Sequence, residues 1–154
     1  MNHNRFLASF AIVPKTLFRT NKGSSIRLRA HPGPLRPRGP FDLLTTSGLV
    51  KPKALDPKTY EFPNGASMRS NSPAQRRVLA TFTGPDVIVY EVPKGTILPK
   101  ELILVHEFRD HYSLQAAREM TVRELNDHLT VFFGQYAIAH TKKEWYARFP
   151  VPTE

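Results

Sequence analysis

Residues 102 to 129 read LILVHEFRDHYSLQAAREMTVRELNDHL, and the hydrophobic period changes part-way along them. ILVHEF (103–108) and HYSLQ (111–115) read as two strands. In the second, His111, Ser113 and Gln115 share one face, and Tyr112 and Leu114 take the other. From Thr121 the pattern is helical. Thr121 and Glu124 match a capping box, and Val122, Leu125, Leu129, Phe132 and Phe133 recur at helical spacing. Strands followed by a helix of this kind predict an α+β fold. The polar face of HYSLQ has two readings, a solvated surface or the border of a cleft.

Working outward, DVIVYEV (86–92) predicts a strand whose density of β-branched residues points to burial on both faces. SPAQRRVLATF (72–82) predicts a helix with Ser72 as N-cap and Pro73 in its first position. ASMRS (66–70) and KTLFRT (15–20) read as strands. IRLR (26–29) alternates with period two and predicts another, with Ile26 and Leu28 facing a core and Arg27 and Arg29 opposite. FDLLTTSGL (41–49) predicts a single helical turn ending before Gly48. Residues 31–40 read as a loop broken by proline and glycine, and residues 50–65 as an irregular path. Near the end, Thr141 and Glu144 repeat the capping box before WYARF.

A chain of 154 residues suits one domain, expected over 14–154, with residues 1–13 as a leader or flexible terminus. It has no cysteine, which excludes disulfides, thiolate nucleophiles and Cys-based zinc sites, and points to an intracellular compartment. No apolar run approaches the roughly 18 residues of a membrane span. The net charge of +9 is lopsided. Residues 1–60 carry 11 Lys and Arg against Asp42 and Asp56, whereas residues 61–154 carry 11 of each sign. The basic start has the composition of a mitochondrial transit peptide, of a solvated arm, or of a surface for phosphate-bearing ligands. A cytoplasmic or a mitochondrial location fits it.

Six histidines raise the question of a metal, but no pair has the spacing of a helical ligand motif and no carboxylate set completes a site. No Gly-x-Ser-x-Gly elbow and no glycine-rich phosphate loop occurs. A scattered polar set remains: Arg19, Ser67, His111, Tyr112 and Gln115. Arg19 lies in an otherwise apolar strand, either exposed on an edge or placed in a cleft, since a charge facing a core is costly without a partner.

Four short motifs occur in order: LFR (17–19), GAS (65–67), KGTILPKEL (94–102) and HYSL (111–114). In that order they resemble motifs of the ADP-ribosyltransferase-type toxins among type VI secretion effectors. The likeness runs in outline from Lys15 to Trp145 and is dense from Gly65 to Leu129. It implies a compact split β-sheet with flanking helices, binding NAD in a cleft. It further implies an unknown macromolecular acceptor and an antitoxin protein as partners. Arg19 then corresponds to the arginine that holds the dinucleotide phosphates, and Ser67 to the serine on the nicotinamide-ribose side. His111 and Tyr112 correspond to a cleft-lining pair, and Gln115 joins the NAD contacts. Ala66 stands where the effectors have threonine. Neither Glu107 nor Asp110 aligns with a family catalytic glutamate. Two alternatives stay open: a catalytically inactive member of the same fold, and a basic RNA-associated or organellar ribosomal protein that contacts nucleic acid through its first 60 residues.

Overall fold

The computed structural model describes residues 6–31 and 41–152. In chain order the strands and helices are β1 (Ala8–Phe10), β2 (Leu17–Lys22), β3 (Ala30–His31), β4 (Leu43–Leu44), β5 (Leu49–Val50), β6 (Gly65–Met68), α1 (Pro73–Thr81), β7 (Val87–Val92), β8 (Leu102–Phe108), β9 (His111–Ala116), β10 (Met120–Thr121), α2 (Val122–Tyr136), β11 (Ile138–Thr141) and α3 (Lys142–Arg148). The fold is α+β. Two antiparallel sheets organise it, one of four strands in the order β1-β8-β9-β6 and one of three in the order β11-β7-β2.

The two sheets are stitched at one point. Phe18 of β2 and Arg69, one residue past β6, exchange backbone bonds of 2.6 and 3.0 Å. Beyond that bridge β2 and β6 share no ladder among the described residues, so the sheet is split between them. As the sequence of β7 predicts, it is buried on both sides. Val87 and Val89 pack with Phe18, Leu79 of α1 and Trp145 of α3. Tyr90 and Val92 face the main core with Leu125, Leu129, Phe132 and Phe133 of α2. Each buried aliphatic or aromatic side chain there contributes about 1.5–3 kcal/mol. Both predicted capping boxes form, at Thr121–Glu124 and Thr141–Glu144, and Ser72 caps α1 by accepting from the Gln75 N–H.

Gly65 has a steric reason. A Cβ there would lie 2.4 Å from the Leu114 carbonyl oxygen of the neighbouring strand, so only glycine lets β6 approach β9 this closely.

Two expectations change. IRLR keeps its predicted burial pattern, with Ile26 and Leu28 buried and Arg27 exposed, but forms no strand. Its backbone donors are taken by helix side chains instead: Ile26 N–H donates to Thr130 Oγ1 (2.9 Å) and Leu28 N–H to Asn126 Oδ1 (2.8 Å). FDLLTTSGL is a β-turn segment, not a helix. Thr46 and Leu49 bond across Ser47 (φ 53°) and Gly48 (φ 76°), the two left-handed residues of a tight hairpin turn. Residues 1–13, expected as a leader or flexible terminus, include a strand among their described part. Ala8–Phe10 pairs with Leu104–His106 of β8, and Val13 is buried. The loop expected at 31–40 falls, after His31, outside the described residues.

Candidate functional site

The β8–β9 turn creates the site's geometry. The pairing register shifts between His106 and Phe108, a bulge that sets Phe108 opposite His111 and leaves Glu107 unpaired. Strict alternation would put Glu107 and Phe108 on opposite faces. The bulge instead brings both to the His111 ring, with Glu107 Oε1 2.8 Å from Nδ1 and the Phe108 ring stacked at 5.2 Å. The turn is held by His106, whose Nε2–H donates to the Arg109 carbonyl (2.5 Å), with Arg109 at φ 43°.

On the far side of the ring, His111 Nε2 lies 3.1 Å from Ser67 Oγ. Glu107 is close to Nδ1 but off the line of a straight hydrogen bond, so it acts there chiefly as a charge. That charge favours the proton on Nδ1, which makes Nε2 the acceptor and the Ser67 hydroxyl the donor. Glu107 is 2% exposed and is held from behind by the Tyr60 hydroxyl, which donates to Oε2. Burial, and then the adjacent Glu107 charge, push the Tyr60 phenol pKa far up, so it stays a donor. Gln115 Nε2 donates to Tyr60 Oη (2.6 Å) and Ser113 Oγ (3.1 Å), and Asn64 Nδ2 reaches Gln115 Oε1 (3.4 Å). Ala54, Val105 and Tyr60, with Phe6, Phe62 and Ile103 against them, cover this polar face.

Arg19 occupies the split between the sheets. Its side chain keeps partial solvent contact, but protein atoms crowd the guanidinium from every side. It donates to the Ser67 carbonyl (3.2 Å) and Asn21 Oδ1 (3.3 Å), both neutral and long, and buried Nε has no partner. Burial is the main force lowering its pKa, to about 10; Asp42 opposes this, while Arg69 and Arg29 add to it. It remains a cation at neutral pH, poorly matched by the protein alone. Such a group suits an anionic ligand.

A split sheet with an undersatisfied arginine at the split and a serine–histidine pair beside it gives the chain a distinctive core. The model of the Tse2 ADP-ribosyltransferase toxin family matches residues 15–145, which run from just before β2 into α3. The chain belongs to that family. No curated protein and no solved structure gives a significant match.

Within this Tse2-type ADP-ribosyltransferase fold the expected site residues divide. Arg19, Ser67 and His111 come together, Arg19 through the Ser67 carbonyl and His111 through its hydroxyl. Tyr112 does not join them. It is 4% exposed, faces the main core and stacks on His106 at 4.3 Å, because adjacent strand residues take opposite faces. Gln115 shares the face of His111 but is fully buried, so it supports the network and cannot touch a ligand as it stands. Tyr60 and Asn64 are residues that sequence reasoning missed, and Glu107, weighed there as an acid, was left without a role. The available signal was the His111–Glu107 spacing across a turn, which alternation alone does not interpret.

The RNA-binding alternative loses part of its basic arm. Arg29 pairs with Asp42 (3.2 Å), and Lys51 pairs with Glu119. Lys53 donates to the Leu44 carbonyl (3.0 Å), and Arg19 is enclosed. Arg36 and Arg38 lie outside the described residues. Among the described residues no helix is long and apolar enough to cross a membrane.

Proposed function

We propose that this toxin-family chain binds NAD across the split beside β2 and transfers its ADP-ribose to a macromolecular acceptor. The undersatisfied Arg19 guanidinium carries this reading, since a diphosphate would supply the bidentate anionic partner that the protein withholds. In the reaction the bond between nicotinamide nitrogen and ribose C1′ breaks, and its electron pair leaves with nicotinamide. The acceptor nucleophile then bonds to C1′. The Ser67–His111 pair takes the proton the acceptor sheds, and Glu107 stabilises the imidazolium so formed. Ser67 and His111 act at the reacting centre. Glu107, Tyr60 and Gln115 position them. An antitoxin protein that silences the toxin would cover this split.

The test is NAD titration of the purified chain and of Arg19→Lys. A lysine keeps the charge but loses the fork, so NAD should bind about ten-fold weaker or worse. Expression of the intact chain should arrest growth, and Arg19→Ala or His111→Ala should relieve the arrest while leaving the protein folded. Absence of saturable NAD binding by the parent overturns the reading. Binding without nicotinamide release would identify an inactive member of the fold.

A further inference from the structure

Asn64 closes the far end of the polar network behind His111, and the proposed reaction gives it no part. It is fully buried just before Gly65 of β6, where its backbone bridges Leu43. Its Nδ2 donates to the Lys51 carbonyl (3.0 Å) and to Gln115 Oε1 (3.4 Å), while its Oδ1 has no partner. The Lys51 carbonyl can only accept, and it also takes the Lys53 N–H (2.8 Å). Turning the Asn64 amide round would set Oδ1 against two acceptor oxygens, so the nitrogen has to face them. The orphaned Oδ1 follows from that orientation. Gly65 clears the space for the contact, since a Cβ there would lie 2.8 Å from both Gln115 Cγ and Ser113 Oγ.

From Asn64 onward each bond settles the direction of the next. Gln115 Oε1 accepts from Asn64, so Nε2 is the end that faces Tyr60 Oη (2.6 Å) and Ser113 Oγ (3.1 Å). A Tyr60 oxygen that receives this N–H keeps its own hydrogen for Glu107 Oε2. Glu107, with that donor, holds its charge 2.8 Å from His111 Nδ1 and keeps the ring proton there. Nε2 is then left to accept from Ser67 Oγ (3.1 Å). Were Gln115 reversed, its oxygen would draw the Tyr60 hydrogen away from Glu107, and the buried carboxylate would lose its donor. We propose that Asn64 is a positioning residue that fixes the donor direction of this whole line, from the Lys51 carbonyl to the Ser67 hydroxyl. It acts through Gln115, Tyr60 and Glu107 and touches no reacting atom. The proposal rests on the reading of Ser67 and His111 as the pair that takes the acceptor's proton.

The experiment is nitrogen NMR of the His111 ring in the full chain without NAD, its signals identified by their absence in His111→Gln. The parent is compared with Asn64→Leu, which keeps a branched side chain but has no donor, and with Asn64→Ala, which cannot overpack the site. The parent ring should carry its proton on Nδ1, and in both variants the proton should be shared with Nε2. Turnover should fall about ten-fold in the variants while NAD affinity stays that of the parent. Ser113→Ala removes one acceptor of Gln115 but leaves its contact with Asn64, so it should keep the parent ring signal. A merely structural role would lower the unfolding midpoint without moving the ring proton. A parent ring protonated on Nε2, parent-like ring signals in whichever Asn64 variant folds, or parent-like turnover where the proton has moved, overturns the proposal. A moved ring proton in a chain that fails to bind NAD would sustain the role of Asn64 and sink the proposed reaction, which keeps the two apart.

Discussion

The two faces of the β6–β9–β8 sheet are made by the same strands and buried almost equally, yet they are built on opposite principles. One face presents Ala66, Met68, Leu104 and Leu114 to the core that includes Leu125, Leu129 and Phe133. The other presents Ser67, His111, Ser113, Gln115 and Glu107, with Tyr60 completing their bonds from above. The apolar face gains from area removed from water, a term indifferent to direction. The polar face is tolerable because most of its groups are hydrogen-bonded and the charge of Glu107 stands beside His111 Nδ1, which is not, so it holds its side chains in one arrangement. The apolar side supplies stability, and the polar side supplies a positioned histidine.

That contrast can be broken by experiment. Leu114→Ala, on the apolar side, should cost about 2–5 kcal/mol in denaturant unfolding and leave activity per folded molecule near that of the parent. Activity lost out of proportion to folding would show that the faces are not separable. Tyr60→Phe, on the polar side, leaves one buried carboxylate oxygen without its donor and should cost about 1–3 kcal/mol. Transfer activity should fall with it, in contrast to Leu114→Ala. Glu107→Gln keeps the shape and removes the charge. It should reduce transfer about a hundred-fold or more while NAD binding changes little, a split between turnover and affinity that a purely structural role would not give. The smallest effect belongs to neither face. Glu124 and Glu144 have pKa values lowered, first by the backbone N–H of their N-caps, below the ordinary 4.5. Their contribution is fully present above 4.5 and is lost as pH falls through the lower folded values. Helix signal in an acid titration should soften slightly over that range, and Thr121→Ala should remove the α2 share.

How much of this was legible in the sequence depended on what each signal reports. The helix starts were readable because a cap is a local bond between residues three apart, as at Thr121 and Glu124. Burial was readable from alternation, even at Ile26 and Leu28, where no strand forms. The partner of a backbone N–H was not, since Asn126 and Thr130 come from a distant helix. The sequence also left open whether the polar face of β9 was wet. Its cover comes from Ala54, Tyr60 and Phe62, in a proline-rich stretch whose path has no period to read. The hairpin at Ser47–Gly48 was missed because Gly48 was read as the stop of a helical turn and not as part of a turn dipeptide. Arg19, Ser67 and His111 stood out as polar residues on short strands, and their roles came from resemblance. Glu107 needed the bulge, which only coordinates reveal.

The docking of Ile26 and Leu28 onto α2 has a consequence for biosynthesis. These contacts join residues 104 and 98 positions apart. A ribosome adding roughly 5–20 residues per second needs about 5–20 s to cover that distance. Throughout that interval the segment following Arg19 has emerged without the helix that ties it down. A nascent chain therefore cannot seat this segment until α2 has been made, a delay written into the order of the chain.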